Sequence, residues 1–64
     1  MPKIERTVHI PYNDTNYIYT VYAHSDARAI LDATHELEKE LGKVRGGLKK
    51  EIQANIKNIL VMLR

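Results

Sequence analysis

The chain has no cysteine, tryptophan or phenylalanine, and among its 64 residues only two are proline, three glycine and one serine. Without cysteine there can be no disulfide, no thiolate zinc site and no thiol nucleophile. The single serine, Ser25, precedes an aspartate and a helical apolar pattern, so it reads as a helix cap and not as a nucleophile. The longest apolar run, Ile59 to Leu63, is five residues, against the ~20 needed to span a bilayer as a helix. No charged-then-apolar segment opens the chain, and the expectation is a soluble, cytoplasmic protein without a membrane partner. Net charge is only +2, too small to declare a polyanion ligand by itself.

What is present is concentrated. All four aromatic residues are tyrosines, Tyr12, Tyr17, Tyr19 and Tyr22. The last three lie in the run Tyr17-Ile18-Tyr19-Thr20-Val21-Tyr22-Ala23, whose alternation describes a strand with Tyr17, Tyr19, Val21 and Ala23 on one face and Ile18, Thr20 and Tyr22 on the other. A chain this short can cover one such face with its own helices, and the other is left for a second molecule.

An earlier strand is expected over residues 3–10, with Ile4, Arg6, Val8 and Ile10 on one face; Pro11 ends it, and Pro11 to Asn16 forms a six-residue turn. Placing Ile10 opposite Tyr17, Val8 opposite Tyr19, Arg6 opposite Val21 and Ile4 opposite Ala23 gathers the large apolar groups on one side of an antiparallel hairpin over residues 3–10 and 17–24. A helix follows from Asp26, with Ala27, Ile30, Leu31, Thr34, Leu37 and Leu41 as its apolar stripe. Its rhythm carries through Gly42 to about residue 45. Gly46-Gly47 breaks the chain, and a second helix is expected over 47–63 with Leu48, Ile52, Ile56, Ile59, Leu60 and Leu63 in line. Its last turn is apolar all round, which assigns Ile59, Val61 and Met62 to an oligomer contact.

The fold expected is therefore one α+β domain over residues 1–64, a two-stranded antiparallel hairpin on an antiparallel helix pair, completed by homo-oligomerisation into a dimer or larger assembly. Two charge blocks accompany it. Residues 25–40 hold Asp26, Asp32, Glu36, Glu38 and Glu40 against Arg28 and Lys39, a net −3; residues 43–64 hold six bases against Glu51, a net +5.

Three functions compete. The first is a non-enzymatic interaction module, of the compact accessory kind that mobile elements encode, binding a protein through Ile18, Thr20 and Tyr22; tyrosine suits such surfaces because it buries area yet keeps a polar tip. The second starts from element order. A strand over 17–23, a helix, a glycine connection and a second helix resemble the ribbon-helix-helix repressors, which implies DNA binding by a dimeric ribbon, although residues 3–10 offer the strand a partner within the chain. The third is a small phosphorylated or nucleotide ligand at Arg45, Gly46, Gly47, Lys49 and Lys50, where glycine amides could approach an anion; cations in a first helical turn oppose the helix dipole, so some negative group must lie nearby. His9, His24 and His35 match no metal-binding spacing, and neither a metal nor a cofactor is expected.

Overall fold

The computed structural model describes residues 2–63. The hairpin forms in the expected register: β1 (Ile4–Tyr12) pairs antiparallel with β2 (Thr15–Ala23), Val8 against Tyr19 and Ile10 against Tyr17. Its turn is tighter than expected, because Asn13 and Asp14 alone make it, at φ of 52° and 62°. Two consecutive left-handed residues give the type I′ geometry that matches strand twist, and Asn and Asp tolerate those angles better than most side chains. Pro11 does not end β1. Its nitrogen is directed away from β2, on a side where no strand continues beyond His9, so the missing donor breaks no ladder bond.

The first helix, α1 (Asp26–Glu40), starts as its sequence implies, with the Ser25 hydroxyl accepting from the Arg28 N–H at 3.2 Å. It stops at Gly42 and does not reach residue 45. Gly42 stands at φ 69°, and the N–H groups of Gly42 and Lys43 donate back to the carbonyls of Lys39 (3.2 Å) and Glu38 (2.8 Å), a Schellman closure. The buried face of α1 is also rotated from the expected stripe. Ala29, Ala33 and Leu37 are fully buried while Ala27 is exposed and Leu31 only half-buried. Small alanines four residues apart let the helix approach the sheet, which turns the bulkier Ile30 and Leu31 sideways into a cleft beside the next helix.

The largest correction concerns the second helix. Instead of spanning 47–63, α2 runs only Lys49–Ala54, passes into a 3₁₀ turn over Ile56–Asn58, and the chain returns as β3 (Leu60–Leu63). Two asparagines punctuate it: Asn55 leaves helical geometry at φ −109°, and its side chain donates to the Glu51 carbonyl at 3.1 Å, closing the last turn. β3 pairs antiparallel with β1, Val61 opposite Val8 and Met62 opposite Thr7, so the two-stranded sheet expected is three-stranded in the order β2-β1-β3. The free edge of β1 offered ladder hydrogen bonds that a helical end would have left unmade.

The core lies between the helices and one sheet face, built from Val8, Ile10, Ala23, Ala29, Ala33, Leu37, Leu48 and Ile52. Arg6 shares that face and is 9% exposed. It spans the β2–α1 junction, donating to the carbonyls of Ala23 and His24 (both 3.2 Å) and to Asp26 at 2.6 Å. Tyr19 is half-buried, and its hydroxyl is the one buried side-chain oxygen or nitrogen left without a hydrogen-bond partner among the described residues. Its hydroxyl meets no partner of bonding geometry, the neighbouring Glu40 carboxylate included. Burial, and then the negative charge of Glu40, push this phenol up to about 12. Removing the orphan hydroxyl should help. Tyr19→Phe is expected to leave stability unchanged or raise it by up to about 1 kcal/mol in thermal denaturation, and to abolish the tyrosine that ionises last in an alkaline absorbance titration.

Candidate functional site

The glycine turn is the place to test anion chemistry, and its geometry is already complete. The Glu38 carboxylate, 1% exposed, accepts from the Gly46 N–H (3.0 Å) and the Leu48 N–H (3.1 Å). Gly47 donates to the Val44 carbonyl and Lys49 to that of Gly46, so all four amides from 46 to 49 are satisfied within the chain. A negative group does lie inside the turn, Glu38, and of the bases of this segment Arg45 is the one whose field it feels. Burial alone would raise its pKa; the two amide bonds, with the positive fields of His35 and Arg45, more than offset this and hold the carboxyl below its ordinary value. Lys49 and Lys50 remain exposed, and among the described residues no ion pair joins bases 43–57 to α1, whose Arg28–Asp32 and Lys39–Glu36 pairs are internal.

The second candidate is the sheet face turned away from the helices. The strand register brings Ile18, His9 and Leu60 into one row across β2, β1 and β3, and Thr20, Thr7 and Met62 into the next, with Tyr22 beside Glu5 above them. No helix covers these rows. Ile18 is 55% exposed, Tyr22 62%, Leu60 54% and Met62 49%, a concentration of large apolar groups on one side of a small molecule. The Tyr22 hydroxyl reaches the Glu5 carboxylate at 3.4 Å, which holds the ring along the strand without covering it.

This face contains Ile18, Thr20 and Tyr22, the residues assigned to partner binding from sequence, and adds Leu60 and Met62, which sequence placed on a helix. The three residues assigned to an oligomer contact are separated. Ile59 and Val61 pack against the chain's own core, and Met62 alone faces outward. Because every residue over 59–63 is apolar, no polar–apolar alternation marked this strand in the sequence.

Other cavities carry less chemistry. A cleft of about 860 Å³ opens beside the hairpin turn, with Asn13, Asp14, Asn16, Glu51, Asn55 and Asn58 around it and little apolar wall to seat a ligand. The cleft between α1 and α2 is about 130 Å³ and mainly aliphatic. No cluster of His, Asp and Glu able to hold a metal occurs among the described residues, and no helix is long and apolar enough to cross a membrane. Comparison with protein families, curated proteins and solved structures gives no match.

Replacing Glu38 separates its charge from its shape. Glu38→Gln keeps one acceptor but turns an amide N–H toward a backbone N–H, and is expected to cost about 2 kcal/mol, or about 10 °C in Tm for a chain of this size. Because the folded carboxyl is held below its unfolded value, its stabilisation is complete above that unfolded value of about 4.5 and is lost as pH falls through the lowered folded one. Wild type should therefore lose stability on acidification below about pH 4.5 more steeply than Glu38→Gln in parallel urea titrations.

Proposed function

We propose that the chain is a small, non-enzymatic, homo-oligomeric interaction module that binds a protein partner through the open sheet face, with Ile18, Thr20, Tyr22, Leu60 and Met62 as its contacts. One observation carries this. Four large apolar side chains stand about half exposed on a face that the chain's own helices leave bare, while the opposite face carries the helices and the core. Leaving them in water forgoes roughly 1.5–3 kcal/mol for each side chain fully buried. A flat face of Ile, Tyr, Leu and Met framed by Thr7, His9, Thr20 and Glu5 has the composition of a protein contact, with aromatic and methionine anchors beside short polar groups.

The alternatives draw less support. A ribbon-type DNA binder uses an unpaired strand and two substantial helices, whereas β2 here pairs with β1, and α2 is six residues long. A phosphorylated ligand at 45–50 would find the turn's amides already engaged.

The test is affinity capture with three baits: wild type, Ile18→Ser/Met62→Ser, and Val44→Ser, which changes a residue 77% exposed outside the sheet. A protein retained by wild type and by Val44→Ser but lost with the double variant is the expected result. Equal recovery on all three would sink the proposal.

A further inference from the structure

The two edges of the sheet are unequal. β3 offers four residues, whereas β2 offers nine, Thr15–Ala23, without a proline, a glycine or a charge. Sheet edges in stable monomers are ordinarily blunted by just those devices, by bulges, or by a covering segment. None of them protects β2. Its odd-numbered residues bond to β1, so the amides and carbonyls of Asn16, Ile18, Thr20 and Tyr22 point out of the sheet, and all four residues are exposed. The helices leave this edge incompletely covered as well: β1's inward residues Val8 and Ile10 are fully buried, while β2's Tyr17, Tyr19 and Val21 stay half-buried.

We infer that a second copy of this chain occupies the β2 edge, pairing β2 antiparallel with itself about a two-fold axis through Tyr19 to make a continuous six-stranded sheet. This deepens the reading of the chain as an oligomeric module by assigning the edge, the partner and the register. The parity of the strand permits it. Full overlap of nine residues sets Thr15 against Ala23 of the partner copy and Tyr19 against its own equivalent, so outward-directed residues meet only outward-directed ones: Ile18 faces Thr20, and Asn16 faces Tyr22. About eight inter-chain hydrogen bonds result.

Three features favour a second copy over a foreign strand. A strand paired with itself confronts every charge with a like or fixed neighbour, and β2 carries none to clash. On the helix side, Tyr17 meets Val21 of the partner copy and the two Tyr19 rings adjoin, which covers the apolar surface that α1 leaves half-bare. On the other side, Ile18 and Tyr22 of both copies merge into one face with Leu60 and Met62 at either end, doubling the proposed contact surface. The interface is isologous and closes at the dimer.

Because the protein has no cysteine, one introduced thiol reads the register directly. At a non-hydrogen-bonded pair on the axis the Cα atoms stand ~4.5 Å apart, within disulfide range, so Tyr19→Cys should oxidise to a covalent dimer. Val21→Cys should not, since its equivalent lies about 13 Å away along the strand. Should Tyr19→Cys fold poorly, wild type carries the test. Sedimentation equilibrium should give twice the chain mass, and amide exchange at Asn16, Ile18, Thr20 and Tyr22 should slow with rising concentration. Thr20→Pro removes an outward donor without touching the β1 ladder, and should weaken dimerisation at least about tenfold with an unchanged circular dichroism spectrum.

A wild-type protein that stays monomeric at millimolar concentration overturns the inference, as does a dimer whose edge amides exchange freely or whose folded Tyr19→Cys variant fails to link. A monomer that still loses its partner on Ile18→Ser/Met62→Ser would leave the face as a binding surface and remove only the edge. Linked dimers indifferent to that double variant would do the reverse.

Discussion

Everything after residue 41 depends on one buried carboxylate. Glu38 is anchored by α1 and accepts the amides of Gly46 and Leu48. This fixes where the chain turns, seats Leu48 in the core at 1% exposure, and aims α2 so that the last strand falls beside β1. Charge burial is costly unless hydrogen bonds replace water, and two amide donors on a single carboxylate are the usual remedy. The same arrangement explains why a basic, glycine-containing turn need not be a ligand site. A turn that presents amides to an anion looks identical in sequence whether the anion is bound or built in, and only the fold reveals that Glu38 fills it.

Sheet and helices then divide the work asymmetrically. β1 is the central strand, and its alternation sends Arg6, Val8 and Ile10 inward and Glu5, Thr7 and His9 outward. Among the described residues Arg6 is the only base on the core face of the sheet, tolerated because its guanidinium satisfies two carbonyls at the β2–α1 junction and pairs with Asp26. Asp26 itself is largely exposed, so that ion pair is screened, and the carbonyl bonds are the stronger reason for Arg6 to lie where it does. A single layer of helices completes the core on one side and leaves the other to solvent.

How much of this could be read in advance depended on whether the deciding contact was local. The hairpin register followed from parity alone, since a one-residue slip would have put Tyr17, Tyr19 and Val21 on the wrong face. The Ser25 cap and the stop at Gly42 were equally local, although the stop was obscured by an apolar rhythm continuing through Val44 and Leu48. Val44 proves to be 77% exposed and takes no part in that rhythm. The third strand was not local. Ile56, Ile59, Leu60 and Leu63 fit a helical stripe, and what overrides it is a free edge on β1 about fifty residues earlier, which no window on 55–63 contains. The two asparagines and the β-branched Ile59 and Val61 were the only near signals. The open face was half visible for the same reason: Ile18 and Tyr22 lie on a strand recognised from its pattern, Leu60 and Met62 on one that was not.

The choice of strand over helix for the last residues also decides how apolar the outer surface becomes. A run of five consecutive apolar residues cannot be wholly buried as a strand of a sheet covered on one face only, because alternate side chains point opposite ways. Burying Ile59 and Val61 on the core side therefore forces Leu60 and Met62 outward, next to His9 and Thr7 and in line with Ile18 and Thr20 on β2. The exposure is a direct cost of closing the core, and it falls where β2 had already placed Ile18 and Tyr22. Had both outward positions of β3 been polar, the face would have shrunk to two apolar side chains on one strand, within the ordinary scatter of a soluble surface. With both apolar, two strands separated by β1 present apolar groups from either side of its short polar residues. That arrangement makes the exposed apolar surface a property of the whole sheet face, and not of one strand of it.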